Sequence, residues 1–223
     1  SAPIMIAYYQ INKLEFVGEK VFMLIKALIT NLVIVICEVL TLGHIRGKWN
    51  ILKYYTYLQN FLALIVSLVF SVCSIVYLVS GRIIPEYIRG LRYVATCGLL
   101  ATMFTFIVFL GAGKKIAITE DDFLFGFSPV MANIILHYIC PILSLVSFLL
   151  FEREIKISNG IWTAIVAIPS CIYWISYMVL SLTNAWEEPY NFASKANKIW
   201  DVLSVLLIPL SFIVISYTLW NVK

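Results

Sequence analysis

Charge is scarce in this chain of 223 residues: Asp, Glu, Lys and Arg together make up 13%, where soluble domains carry about 25%. The chain is 62% hydrophobic, and its mean hydropathy is +0.95. A soluble core cannot hide this much apolar surface, whereas a bilayer can. The net charge of +4 is spread over several loops without a basic, aromatic face, so no nucleic-acid partner is expected.

Cysteine and histidine are few as well, with five and two residues. All five cysteines fall in predicted helices, none forms a CxxC pair, and their odd number argues against a disulfide framework. With a single histidine inside a helix and separated carboxylates, no metal site and no cofactor are expected. Glycine is also sparse within the apolar runs. Transporters typically contain broken transmembrane helices, and this scarcity of glycine does not favour such breaks.

What the sequence does contain is six apolar runs of membrane-spanning length. About 20 apolar residues cross the ~30 Å hydrocarbon core, because a helix rises 1.5 Å per residue. The connections are short, so we predict one all-α domain over 1–223, a polytopic bundle of six transmembrane helices. The first 19 residues mix aromatic and charged residues, which favours an interfacial segment. The predicted helices span 20–42, 52–80, 88–111, 129–151, 160–183 and 197–220.

The orientation follows from the lysines and arginines that flank the runs. The side that holds the termini has nine, Arg92 among them, and the opposite, outer side has seven. This difference predicts cytoplasmic termini. It gives no indication of the oligomeric state.

Polar residues follow single helix faces at steps of three and four residues. One interpretation is a packing seam, since small residues let membrane helices approach closely. The other is a polar site inside the bilayer. The stripe on the second helix comprises Thr56, Asn60, Ala63, Ser67, Ser71 and Ser74, and that on the fourth comprises Asn133, His137, Cys140, Ser144 and Ser147.

The depths of the polar residues favour a site in the outer third. Thr56 lies ~9 Å and His137 ~12 Å below the outer edge, counted at 1.5 Å per residue. Asn60 lies one turn deeper than Thr56, and Tyr177 on the fifth helix reaches a similar level. The inner half is expected to hold fewer polar groups, mostly hydroxyls.

Ionisable groups within a membrane are candidates for function, because burying them unpaired is unfavourable. For His137, the alternative is a structural hydrogen bond to Asn60 or Tyr177. Glu38 and Asp201 lie ~6 Å from the outer edge and also suit ordinary helix-end charges. The negative charge of Asp201 would in addition interact favourably with the helix dipole at the start of the sixth helix.

A threonine and a histidine at one depth can perform nucleophilic chemistry. An imidazole that accepts the hydroxyl proton turns Thr56 into a nucleophile toward an ester carbonyl. Asn60 or Tyr177 could stabilise the oxyanion, and Asp201 or Glu38 could orient the imidazole.

Three segments carry a family resemblance. Residues 49–60 (WNILKYYTYLQN), 133–141 (NIILHYICP) and 186–192 (WEEPYNF) stand in the order found in the FAR-17a/AIG1-like proteins and their bacterial Pr6Pr relatives. The chain resembles these six-helix membrane proteins over nearly its whole length, and the likeness to bacterial relatives implies a cell membrane of bacterial type. The third segment departs from the family pattern in the order of its residues.

The resemblance implies a threonine hydrolase that cleaves fatty acid esters of hydroxy fatty acids, with Thr56 as the nucleophile and His137 as the base. The expected partners are therefore a lipid or acyl-ester substrate and the bilayer. Two alternatives stay open: a small-molecule or lipid transporter or binding protein without covalent chemistry, and a structural subunit. The distance between Thr56 and His137 discriminates best between the hydrolase and these two alternatives.

Overall fold

Six helical segments make up the computed structural model, which describes residues 2–42, 54–110, 128–152, 160–183 and 198–222. They are α1 (Ala2–Leu42), α2 (Tyr55–Ser80), α3 (86–110), α4 (129–151), α5 (Ile161–Leu182) and α6 (Lys198–Val222). The prediction of an all-α, polytopic membrane protein is confirmed.

Helix α1 is much longer than predicted. It begins at Ala2 rather than near residue 20, so the expected interfacial segment belongs to the same helix as the first membrane span. No proline or glycine other than Pro3 and Gly18 interrupts this stretch, which explains why the helix continues. The apolar part capable of crossing a membrane is Val17–Leu42.

Three further spans are long and apolar enough to cross a membrane: Tyr55–Ser80, Glu86–Val108 and Val130–Phe151. The described parts of α5 and α6 contain shorter apolar helices, Ile161–Tyr177 and Leu207–Val222. Many large apolar side chains of these helices are exposed on the outside of the bundle, as expected for surfaces that face lipid.

Helices α1 and α2 are antiparallel, and buried clusters fix their register. Near the outer end Leu42 and Tyr57 share a cluster, and near the inner end Ala27 and Phe70 share another. Helix α4 packs against α1 and α3, and its Leu136 side chain reaches the outer cluster that α1 and α2 share. Helix α3 packs between α2 and α6 and also contacts α4 and α5.

Two glycines of α3 permit close helix packing. A Cβ at Gly90 would overlap the Trp162 ring of α5, and a Cβ at Gly98 would overlap the Gln59 amide of α2. Glycine in a helix is unfavourable by about 1 kcal/mol relative to alanine. We therefore infer that glycine stands at these two positions because the close contacts with Trp162 and Gln59 leave no room for a Cβ.

Helix α4 is widened around His137. Residues Ile135–Ile139 form a π-helical turn in which the Cys140 N–H donates to the Ile135 carbonyl, five residues back. Pro141 explains the turn, since a proline has no N–H and its ring clashes with the carbonyl four residues earlier, here that of His137. Such π-turns are frequent at functional sites.

The expectation that the inner half of the bundle holds few polar groups, mostly hydroxyls, is wrong. Arg92 of α3 and Glu152 at the end of α4 form an ion pair of 3.2 Å, with side chains 0% and 1% exposed. Arg92 was counted among the flanking charges, and without it the difference between the two sides narrows to eight against seven.

Both members of this ion pair are surrounded by polar partners. Arg92 Nη1 donates to the hydroxyls of Thr96 (3.0 Å) and Ser144 (2.7 Å). Glu152 Oε1 also accepts from Ser147 Oγ at 2.7 Å and from Asn31 Nδ2 at 3.3 Å. The network joins α1, α3 and α4, and its burial requires this degree of compensation.

Candidate functional site

Thr56 and His137 occupy one level of the bundle. Thr56 follows Tyr55 in the first turn of α2, and its neighbour Tyr57 shares a buried cluster with Leu136, the neighbour of His137. Because α2 and α4 both run from the outer side inward, this shared cluster places the two candidate residues near the same depth. Thr56 is half-buried, whereas His137 is 4% exposed.

The His137 ring packs against α3. It stacks on Phe106 with ring centroids 4.1 Å apart and planes inclined by 17°. The imidazole also lies against the backbone carbonyl of Thr102. Nδ1 is buried and has no hydrogen-bond partner among the described residues. The π-turn and the stacked Phe106 therefore fix the ring, while one nitrogen is left available.

No hydrogen bond joins Thr56 to His137 in the described part of the chain. Asn60, one turn along α2, donates its Nδ2 to the Thr56 carbonyl at 2.8 Å, and its buried Oδ1 has no partner among the described residues. The Asn60 side chain is fully buried. Catalytic hydrogen bonds are often long before substrate binds, so a catalytic pair is compatible with this geometry.

Glu38 is buried more deeply than its position near the end of α1 suggested. It is 0% exposed, and neither carboxylate oxygen has a hydrogen-bond partner among the described residues. The thiols of Cys37 and Cys140 lie beside it. Interpreting Glu38 as an ordinary helix-end charge is therefore wrong, because the packing of α2 and α4 against α1 removes it from water.

The other expected supporting residues are dispersed. Tyr177 is buried in an aromatic cluster of α5, 5.2 Å from Trp174 between ring centroids. Asn133 is half-buried in the first part of α4. Asp201 falls in the first turn of α6, but its side chain lies outside the described part. The described contacts bring neither Tyr177 nor Asn133 against His137.

A second polar group near this level was missed by the sequence reasoning. Gln59 Nε2 donates to Tyr55 Oη at 2.6 Å, and Tyr55 Oη is 2.7 Å from Ser170 Oγ of α5. Tyr55 also packs at 4.7 Å from Tyr173 and 5.3 Å from Phe212 between ring centroids. Ser170 belongs to a polar stripe of the fifth predicted helix, but nothing in the sequence pairs it with Tyr55.

Comparison with protein-family models, with curated proteins and with solved structures gives no match for this chain. The feature of the outer third that bears on function is an imidazole whose Nδ1 has no partner among the described residues, with a threonine hydroxyl at its level.

Proposed function

We propose that the protein is an intramembrane hydrolase of lipid esters, with Thr56 as the nucleophile and His137 as the general base. The observation that supports this most strongly is the buried imidazole at the level of Thr56, whose Nδ1 has no hydrogen-bond partner in the described ranges. The resemblance of residues 49–60 and 133–141 to the FAR-17a/AIG1-like family agrees with the same assignment.

In the proposed reaction, His137 Nε2–H donates a hydrogen bond to the backbone carbonyl of Thr102, which leaves Nδ1 as the base. Thr56 Oγ1 attacks the ester carbonyl while Nδ1 accepts its proton. The tetrahedral intermediate then expels the alkoxide, which takes that proton, and an acyl-threonine remains. Water, deprotonated by the same nitrogen, attacks this ester, Thr56 Oγ1 departs and takes the proton back from Nδ1, and the fatty acid is released.

Three features of the site suit this chemistry. Phe106 restrains the imidazole by stacking, so little reorganisation is needed when it becomes charged. Thr56 is β-branched, and a stiff χ1 keeps its hydroxyl in place. Its half-buried position near the outer end of α2 allows an acyl ester to arrive laterally from the bilayer and water to arrive from the outer side.

The experiment is hydrolysis of a fluorogenic acyl ester by the purified protein in liposomes. Thr56→Ala and His137→Ala should each lose at least about 100-fold in rate, the lower range for a positioned general base. Thr56→Ser should retain part of the activity. Thr183→Ala is the matched control, since Thr183 is exposed at the end of α5 and bonds only to its own helix.

A second candidate is a lipid-binding or transport protein without covalent chemistry. The absence of a hydrogen bond between Thr56 and His137 in the described structure favours it. If Thr56→Ala hydrolyses the ester as fast as the parent, the threonine mechanism is refuted and the binding function is the better assignment.

A further inference from the structure

Two buried glutamates of the bundle differ sharply in how they are compensated. Glu152 accepts three hydrogen bonds on Oε1, one of them from Arg92. Glu38 is as deeply buried, yet among the described residues its Oε1 and Oε2 accept no hydrogen bond from a nitrogen or oxygen donor, and the Cys140 thiol beside the carboxyl is a weak donor. An ionised carboxylate without a partner is strongly disfavoured in such surroundings. Glu38 therefore needs something that the described side chains do not supply.

The register of α1 and α2 indicates what lies opposite Glu38. Leu42 and Tyr57 share the outer cluster and Ala27 and Phe70 share the inner one, and this register places Glu38 at the level of Asn60. Asn60 Oδ1 is also buried without a partner among the described residues, and the bond from Nδ2 to the Thr56 carbonyl fixes the orientation of the amide. At this level the unsatisfied atoms of both helices are acceptors.

Few other titratable groups face this position. Cys37 on the same helix and Cys140 of α4 lie beside the carboxyl, and a thiol is a weak donor. His137 lies one turn toward the outer side on α4, and Tyr57 occupies the corresponding turn of α2. On α3, the residue opposite this turn of α2 is Gly98, whose missing side chain makes room for Gln59. No lysine or arginine forms an ion pair with Glu38 within the described ranges.

A proton satisfies this arrangement more completely than a metal ion. A protonated carboxyl is neutral, and its O–H is a donor for Asn60 Oδ1, the unpartnered acceptor that the described residues place at this level. Hard cations instead take six or more oxygen ligands, and the unpartnered oxygens that the described residues offer at this level are the carboxyl pair and Asn60 Oδ1. We propose that Glu38 is a proton-binding site within the membrane, hydrogen-bonded to Asn60 and exchanging its proton with the outer side.

This site is independent of the proposed ester hydrolysis, and it has a mechanical consequence. Loss of the proton would leave an unpaired charge where α1, α2 and α4 meet. The carboxylate would then be repelled by the unpartnered acceptors around it, and its hydration would become favourable. Both effects would loosen the packing of α1 against its neighbours. Proton exchange at Glu38 is thereby linked to the packing of the outer third.

The test is labelling of the intact protein in liposomes with dicyclohexylcarbodiimide. The reagent adds a protonated carboxyl across its N=C bond, and the adduct rearranges to a stable N-acylurea without any leaving group. Peptide mass spectrometry should find the adduct at Glu38, and the modified fraction should fall as pH is raised. Glu152, equally buried but paired with Arg92, should remain unmodified.

Matched variants separate the proposal from simple burial. Glu38→Gln should lose the adduct, whereas Glu19→Gln, at an exposed position of the same helix, should keep it. Asn60→Ala should shift the pH midpoint of labelling downward, because the carboxyl O–H loses its acceptor. Thr56→Ala should label like the parent, so failure of the hydrolase proposal leaves this result untouched. Helix content and monodispersity in detergent show that each variant is folded.

Three outcomes would overturn the proposal. Labelling of Glu152 to the same extent would show that burial alone controls the reaction. Protection of Glu38 by sodium chloride, but not by choline chloride, would assign the site to a metal cation. An unmodified Glu38 in folded protein at low pH would show that no reactive protonated carboxyl exists there.

Discussion

Breaking the Arg92–Glu152 ion pair gives the clearest test of how the inner half is held together. Glu152→Gln preserves the shape of the side chain but removes its charge, so that the fully buried Arg92 guanidinium loses its counterion. Removing one partner of a buried pair typically costs about 3–5 kcal/mol. The structure places this variant within that range, because Arg92 would keep only neutral partners, namely Thr96 and Ser144.

The magnitude converts into a measurable shift in melting temperature. For a protein of 150–250 residues, 1 kcal/mol corresponds to roughly 2–4 °C, so Glu152→Gln should melt about 6–20 °C lower. The assay is thermal unfolding in detergent, followed by circular dichroism. The double variant Arg92→Met/Glu152→Leu removes both charges and should recover most of the loss, since replacing a buried pair by apolar residues is often neutral.

Comparing the single and double variants shows whether the unpaired charge of Arg92 causes the loss of stability. A melting temperature for Glu152→Gln within 1–2 °C of the parent, a shift of less than about 1 kcal/mol, would contradict the buried pair. So would a double variant that melts no higher than the single one, because the loss would then come from something other than an unpaired charge. Glu19→Gln, exposed on α1, serves as the control for removing a glutamate.

Two further predictions concern the packing that surrounds the site. Gly90→Ala should destabilise the protein by about 1–3 kcal/mol, because the new Cβ would overlap the Trp162 ring. Gly18→Ala, with nothing near its Cβ, should instead be neutral or slightly stabilising in the same melting assay. Tyr55→Phe should lower stability by about 1–3 kcal/mol, because Gln59 and Ser170 lose the hydroxyl they share. If Tyr55→Phe melted like the parent, the link between α2 and α5 would contribute nothing to stability.

The sequence predicts the helices well because run length and apolar content depend only on local composition. It also identifies the buried stripe of α2, where Asn60, Ala63 and Ser67 are 0% exposed. The spacing of small residues already indicates a seam, whichever helix lies against it. The extension of α1 to Ala2 was missed because charged and aromatic residues there resemble an interfacial segment.

Other features depend on partners far away in the chain. Arg92 lies near the start of α3, where an arginine ordinarily extends to the membrane surface. Only the position of Glu152, 60 residues later, shows that it is buried in an ion pair. The depth of Glu38 follows from counting residues, but its burial depends on α2 and α4. The π-turn at His137 follows in hindsight from Pro141, although such a proline can also produce a plain kink.

The proposed function is tested most directly by a fluorophosphonate probe. Thr56 Oγ1 would attack phosphorus and displace fluoride, so that a single phosphonylated peptide, containing Thr56, should be found by mass spectrometry. His137→Ala should suppress the adduct in folded protein, and Thr183→Ala should leave it unchanged. A parent protein that hydrolyses ester but carries the adduct on another residue, or an adduct on Thr56 that persists undiminished in His137→Ala, would contradict the assignment.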